Sequence, residues 1–330
     1  MSKILEVRNL YKQFNMEAGF FSKNRQNVYA VNDLSFTLER GQTYGIVGES
    51  GCGKTTTAKM LIQLFKQTKG QILYWPEEKS PLKTIENEEG AVNLSCLKKK
   101  ELGFYREEVK YVFQDPARSL NPRMSVFEVL TAGLKYSSLW QGRDQALESA
   151  SKILCEVGLS EGDLFRRPAE FSGGQRQRIS IARGLIMNPR LLLCDEVVSA
   201  LDVSIQGQII NLLSELKEAR KLTYVFITHD LKVACYFCDK IGVMYRGVLV
   251  EEAPAKDLYK NALHPYTQLL FSGARGELTA SSKEVKTTLS QEKCCPFAYR
   301  CPHATERCQK ELPDLREIEG GHRVRCFLNQ

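Results

Sequence analysis

A chain of 330 residues, 43% hydrophobic and 26% charged, has room for one large α/β domain with a smaller appendage and can bury a sizeable core. No run approaches the ~18 uninterrupted apolar residues of a membrane span, and the opening MSKILEVRNL lacks the long apolar segment of a secretory leader, so a cytosolic chain is expected. The net charge of +7 is modest for this length and is met as well by a solvated surface with some preference for nucleotide or anionic lipid as by nucleic-acid binding.

Ile4–Arg8 and Ala30–Leu38 read as strands, separated by a polar stretch holding Phe14, Phe20, Phe21 and Tyr29. An aromatic there could stack on an adenine ring, but for any single one the simpler role is to cover a sheet edge. The apolar run Thr43–Val47 leads into GESGCGKTT, residues Gly48 to Thr56, followed by a helix-compatible stretch from Lys54 to Phe65. Gly-x-x-x-x-Gly-Lys-Thr is a phosphate-binding loop. Its glycines let the backbone turn N–H groups inward, Lys54 reaches the β/γ-phosphates, Thr55 offers a hydroxyl to Mg²⁺, and the helix N-terminus adds its positive end. Gln71–Trp75 is a further strand. Pro76–Lys100, charged and polar, is most simply a surface insertion, and Tyr111–Phe113 is a short strand ending on Gln114.

From Asp115 to Gly158 the pattern is helical, with Leu147, Ala150, Ile153, Leu154 and Val157 at three- and four-residue spacing. FSGGQRQR (Phe171–Arg178) opens another helix, with Ile179, Ala182, Leu185 and Ile186 on one face. Arg190–Cys194 is a continuous apolar run suited to a buried strand that leads straight into Asp195 and Glu196. A helix over Ser204–Lys217 turns Ile205, Ile209, Leu212, Leu213 and Leu216 inward. A strand over Leu222–Ile227 ends at Thr228, His229 and Asp230, and Ile241–Tyr245 and Val248–Glu251 form a hairpin about Arg246-Gly247. Strands alternating with helices, each ending at a polar residue, imply a mostly parallel sheet with ligands at its carboxyl edge, where Gly48, Gln114, Asp195 and His229 converge.

Those residues suit phosphoryl transfer to water. Asp195 is placed to hold Mg²⁺, Glu196 to act as general base on the attacking water, Gln114 to bridge metal and water, and His229 to hydrogen-bond the γ-phosphate. Singly, each has a plainer reading as a cap or a solvated side chain. Their order relative to the phosphate loop favours the chemical one. Ser172–Gln175 offers N–H groups and a hydroxyl to an anion at a helix start, although a long helical segment separates it from the Gly48 loop.

Taken together, these segments resemble ABC-type ATPases over roughly residues 4–252: phosphate loop Gly48–Thr55, Gln114, FSGGQ, LLLCDE, SALD at Ser199–Asp202, and His229. The resemblance implies a P-loop ABC ATPase fold with a parallel-sheet core, an antiparallel β subdomain and a helical subdomain at about 115–180. It also implies a head-to-tail dimer in which Ser172, Gly174 and Gln175 contact ATP held by the partner's loop. ATP would lie along Gly48, Glu49, Ser50, Gly51, Cys52, Gly53, Lys54, Thr55 and Thr56, with Thr55, Gln114 and Asp195 around Mg²⁺. Phe14 is the expected adenine-stacking ring, and Tyr29 the alternative. VFQDPARSLNPRMSV, SALDVSIQGQIINLL and HPYTQLL narrow the resemblance to ATP-binding subunits of dipeptide/oligopeptide importers, with nickel importers closely related. Val197 departs from it, standing where that family usually has proline. The implied partners are a second ATPase subunit (a paralogue is favoured), two transmembrane permease subunits contacting Ala117–Val126, and an extracytoplasmic substrate-binding protein. The chain would then act at the cytoplasmic face of the membrane, without nucleic acid. The competing readings are a nickel or metal-chelate importer ATPase and a soluble ABC ATPase of nucleic-acid repair, translation or enzyme assembly.

Of eleven cysteines, five fall between Cys294 and Cys326, after a polar linker at about Ser272–Lys293. Cys295, Cys301, Cys308 and Cys326 are separated by five, six and seventeen residues and suit zinc or an iron–sulfur cluster. The importer family's C-terminal extension resembles this segment and implies a 4Fe–4S cluster, with Cys294, His303 or His322 as substitute ligands. The expected division is therefore an ATPase domain over 1–260 and a cysteine-rich extension over 261–330. Cys52 is a bystander in its loop, and Cys235 and Cys238 are core residues rather than a metal pair.

Overall fold

The computed structural model describes residues 2–17, 25–275 and 294–329, so Phe20, Phe21 and most of the expected linker lie outside the described residues. Strands β1 (Lys3–Glu17) and β2 (Arg25–Glu39) pair antiparallel along their length, and the polar stretch expected between two short strands is largely strand itself. β3 (Thr43–Val47) runs into helix α1 (Lys54–Leu61), and β4 (Lys69–Tyr74) returns to pair with β1. β5 (Val92–Asn93) completes a four-stranded antiparallel sheet in the order β2-β1-β4-β5.

The stretch 76–100 is more than a surface insertion. Leu82, Val92 and Leu94 are buried in the core beneath the antiparallel sheet. Helix α2 (Lys99–Glu108) then packs Tyr105 edge-on against Tyr74 at 5.1 Å, with its hydroxyl donating to the Leu61 carbonyl at 2.6 Å. Short apolar residues spaced among charges escape a periodicity reading, yet each fills a place under the sheet.

β6 (Val109–Val112) opens the central sheet and is followed by the helical region: α3 (Pro116–Ser119), α4 (Val126–Thr131), α5 (Arg143–Glu156) and α6 (Gly173–Leu185). On α5 the inward row is Ala146, Ala150, Ile153 and Leu154, whereas Leu147, expected inward, is exposed. β7 (Leu191–Asp195), α7 (Val203–Arg220), β8 (Thr223–Thr228), α8 (Leu231–Phe237) and β9 (Lys240–Tyr245) follow, and β9 turns into β10 (Val248–Pro254). Arg246 (φ 45°) and Gly247 (φ 83°) make that two-residue turn, a left-handed pair that matches the twist of the hairpin. Helices α9 (Ala255–Lys260), α10 (Pro265–Arg275) and α11 (Glu306–Lys310) and the hairpin β11 (Arg316–Glu319)–β12 (His322–Val324) complete the chain.

The central sheet has the order β11-β12-β10-β9-β3-β8-β7-β6. β9, β3, β8, β7 and β6 are parallel, and β10 and β12 join antiparallel at one side. β3, β7 and β8 are buried from end to end, as their mainly apolar sequences require of strands covered on both faces.

β12 is attached through two acids. Glu251 and Glu252 of β10 are completely buried, although the sequence suggests a strand fading into polar residues. Glu251 accepts from the N–H groups of Leu263 (2.6 Å) and His264 (3.0 Å) and lies 2.7 Å from His322 Nε2. Glu252 accepts from the Tyr44 hydroxyl at 2.9 Å and pairs with Lys240 and Arg323. Buried carboxylates persist only with such partners, and here the partners come from both halves of the chain.

Candidate functional site

Four of the parallel strands, β3, β6, β7 and β8, deliver polar groups to the carboxyl edge of the sheet. β3 delivers the loop Gly48–Gly53, whose close turn depends on glycine: a Cβ on Gly48 or Gly53 would collide with the carbonyls of Met244 or Ala30. Gly53 also has a φ of 107°, in the left-handed region, and ends the loop at the first turn of α1. Lys54 is buried and folds back over the loop, donating to the Gly48 carbonyl at 2.7 Å and the Glu49 carbonyl at 3.0 Å. Its ammonium is also 3.9 Å from Glu196.

β7 delivers Asp195 and Glu196. Asp195 accepts from the Thr55 hydroxyl at 3.2 Å and, through its other oxygen, from the Tyr111 hydroxyl. Burial pushes the Asp195 carboxyl above its ordinary range, and neighbouring Glu196 adds to this, while Tyr111, Thr55 and Lys54 oppose it. Burial and the charge of Asp195 likewise drive the Tyr111 phenol upward, so it remains a donor. Glu196 has a left-handed backbone (φ 48°), rare for a residue with a side chain, held by its N–H donating to the Ile227 carbonyl at 2.9 Å and by the Ser199 hydroxyl donating to its carbonyl at 2.8 Å. Val197, next to it, is buried in the core.

The carboxylate of Glu196 is where the remaining groups meet. Gln114, just beyond β6, donates to it at 2.8 Å, and His229, just beyond β8, lies 3.6 Å from it through Nδ1. The expected convergence of the Gly48 loop, Gln114, Asp195 and His229 is thus present. The oxygens of Thr55 and Asp195 are hard donors of the kind a magnesium ion takes, and their 3.2 Å separation suits shared coordination.

Other expected residues are placed differently. Cys52 is buried beneath its loop, and burial raises its thiol above the usual range, in keeping with a bystander. Glu49 turns away from the others: its N–H donates to the Tyr266 hydroxyl at 3.0 Å and its carboxylate faces Arg300. Phe14 sits edge-on to Phe65 at 5.7 Å with Lys12 over its face at 4.9 Å. Ser172 caps α6: its hydroxyl accepts from the Gln175 N–H at 3.3 Å, and its own N–H donates to the Gln175 side chain at 3.0 Å. Gly174 lies against Ile205 of α7, where a Cβ would come within 2.7 Å. Ser172, Gly173 and Gln175 are exposed to solvent.

In the C-terminal segment, Cys295, Cys301, Cys308 and Cys326 approach one another closely enough that the last three bear on the charge of the first. The Cys295 N–H donates to the Cys308 carbonyl at 2.9 Å, and the sulfurs of Cys295, Cys301 and Cys326 each accept an N–H from the residue two positions on. Burial raises all three of these thiols, Cys295 to about 12. Among the described residues, no three His, Cys, Asp or Glu side chains stand together as a cage for a single metal ion. The His322 ring is paired with Glu251. Cys238 is buried and Cys235 half-buried, their thiols raised by burial as expected of core residues.

Tyr111, Tyr266 and Arg300 are the contacts that sequence reasoning missed. HPYTQLL and the position of Arg300 beside Cys301 were visible, but nothing local ties either to a loop more than 200 residues earlier.

The family model for the ABC transporter matches residues 31–199, and that for the oligopeptide/dipeptide transporter C-terminal region matches residues 250–308. The chain is 42% identical to the oligopeptide transport ATP-binding protein AppF of Bacillus subtilis, over 98% of this chain and 97% of that one. It is 40% identical to OppF of the same organism, also an oligopeptide transport ATP-binding protein, over 98% and 96% of the two chains. Among solved structures it resembles the dimeric MJ0796, a bacterial ABC transporter cassette, with a TM-score of 0.63 and 26% identity, covering 76% of this chain and 99% of that one.

Proposed function

Because the chain belongs to the ABC transporter family, with the C-terminal region of its oligopeptide/dipeptide branch, we propose that it hydrolyses ATP to energise the import of oligopeptides. The observation that carries the hydrolytic half is the meeting of Lys54, Gln114 and His229 on the Glu196 carboxylate at the sheet's carboxyl edge. The peptide half is supported by what the relatives are named for.

In this reading residues 48–56 receive the triphosphate. Lys54 leaves its loop carbonyls for the β/γ-phosphates, and the loop N–H groups and the start of α1 hold the oxygens. Thr55, Asp195 and Gln114 would hold Mg²⁺, which would neutralise phosphate charge. Glu196 accepts the proton of the attacking water. Gln114 orients that carboxylate, and His229 donates to the γ-phosphate. Phe14 stacks on the adenine, which requires it to part from Phe65. Ser172, Gly174 and Gln175 serve the triphosphate of a second ATPase subunit, a paralogue on the family resemblance.

Two permease subunits dock at Ala117–Val126, where Ala117, Arg118 and residues 121–123 are exposed. A substrate-binding protein supplies the peptide outside. Among the described residues no helix is long and apolar enough to cross a membrane; the relatives' role in peptide transport supports a peripheral position on the cytoplasmic face. The functional division falls at 1–260 and 261–330. The thiols of Cys295, Cys301, Cys308 and Cys326 carry a 4Fe–4S cluster. Their mutual approach and the N–H groups donated to three of the sulfurs support this, since such bonds stabilise thiolate ligands.

The test is reconstitution of the chain with its membrane subunits in vesicles. ATP hydrolysis should rise when peptide-loaded binding protein is added, and a rise with nickel in place of peptide would overturn the substrate assignment. Anaerobically purified protein should carry iron and labile sulfide with visible absorption. Colourless protein holding only zinc would remove the cluster.

A further inference from the structure

Glu49 is an acid in a loop otherwise built for a polyanion. Lys54, the loop N–H groups and the start of α1 all favour negative charge, and an uncompensated carboxylate at the loop's second position works against them. Its charge is met by one side chain from far along the chain. Arg300 Nη1 donates to the two Glu49 oxygens at 3.2 and 3.0 Å, and Nη2 donates to Oε1 at 3.2 Å. Multiple N–H donors on one carboxylate fix orientation as well as charge.

Arg300 is itself held. Its guanidinium donates to the Tyr245 hydroxyl at 3.3 Å and lies 5.7 Å from the ring centres of both Tyr245 and Phe297. Its N–H donates to the Phe297 carbonyl at 2.9 Å, closing the turn that leads into Cys301. Tyr266 grips the other side of Glu49 through the backbone, and its ring is packed 4.5 Å from Tyr245 and 5.5 Å from Phe297. The main chain and the side chain of this loop residue are therefore both fixed by one aromatic cluster that the C-terminal segment completes.

We propose that Arg300 is a positioning residue for the nucleotide: by neutralising Glu49 and fixing its orientation, it sets the affinity of the phosphate loop for a nucleoside triphosphate. The C-terminal segment thereby bears directly on the loop rather than hanging beside it. This rests on the reading of Gly48–Thr55 as the triphosphate site. Glu49 is 42% exposed and Arg300 21% exposed, so solvent screens part of the effect, which is expected to be moderate.

The full-length chain is titrated with a fluorescent ATP analogue, and KM and kcat for ATP are measured in the assembled complex. Arg300→Ala should weaken binding by about fivefold, with KM rising in step and kcat nearly unchanged. Added salt should narrow the gap. Arg300→Lys, a point charge without the fork, should recover part of the affinity, and it carries the test should the alanine variant fail to fold. The combination Arg300→Ala with Glu49→Gln should recover most of it, because no acid is then left to neutralise; lost packing would not be rescued in this way. Unchanged affinity in Arg300→Ala, or a double variant as weak as the single one, overturns the proposal. Lys54→Ala in parallel separates the two failures. If it too leaves binding intact, the site assignment falls; if it abolishes binding while Arg300→Ala does not move it, only the role of Arg300 falls.

Discussion

The phosphate loop and the stretch Ser172–Gln175 each present a helix N-terminus, but one is roofed and the other is bare. Around α1 the groups facing a ligand are already engaged with one another: Lys54 with two loop carbonyls, Thr55 with Asp195, Gln114 with Glu196. Around α6 the side chains of Ser172 and Gln175 are engaged with each other's backbone in a capping box, and both residues face solvent. The first arrangement is a site whose polar groups exchange internal bonds for ligand bonds. The second is a rigid surface that acts only when something is brought to it. On the proposed reading the labour of a composite site divides in this way, with chemistry on the crowded half and closure on the exposed one.

The sharpest way to break this contrast is to remove the base on the crowded side. Glu196→Gln should bind ATP but lose turnover by about a hundredfold or more, measured as phosphate release in the assembled complex. Wild-type turnover would sink the assignment. On the exposed side, Ser172→Arg introduced into Glu196→Gln should leave ATP binding by the same chain's loop in place while abolishing ATP-driven dimerisation in light scattering. A dimer that still forms would mean that Ser172 does not face the partner's nucleotide.

The smallest effect tests the connection between loop and C-terminal segment through proton linkage. His264 is buried, its Nδ1 accepting from the Tyr266 N–H at 3.0 Å, and burial lowers its pKa from 6.5 to about 4 despite the opposing charge of Glu251. Between those values the unfolded chain binds the proton and the folded chain does not, so stability is complete above 6.5 and falls as pH drops toward 4. Thermal melts should show the midpoint falling across that window, and His264→Gln should flatten the dependence. An unchanged slope would mean that His264 does not report on this packing.

The parallel strands and their polar endpoints were legible because each apolar run stops at a functional residue: Val47 before Gly48, Cys194 before Asp195, Ile227 before Thr228 and His229. The same logic brings Gln114 and Asp195 to one edge of the sheet without any view of the fold, though not the bond from Gln114 to Glu196. The stretch 76–100 was misread because its apolar residues, Leu82, Val92 and Leu94, stand singly among charges and find their neighbours only under the antiparallel sheet. Glu251 and Glu252 were illegible for the opposite reason: acids signal solvent, and only distant partners such as Tyr44, His322 and Arg323 make their burial tolerable. Left-handed Glu196 leaves no sequence signal, since nothing but tertiary hydrogen bonds holds it.

The buried acids of β10 also govern where the polypeptide tolerates being cut. A stop codon after residue 260 looks like a clean way to obtain the ATPase alone. It would remove the Leu263 and His264 N–H groups and the His322 ring from Glu251, and Arg323 from Glu252. It would also strip β12 from the edge of β10 and leave an unpaired strand ready to join its neighbours. Such a shortened product is expected to aggregate, and deletion experiments on the thiol segment are better replaced by point substitutions that leave the ends of the sheet covered.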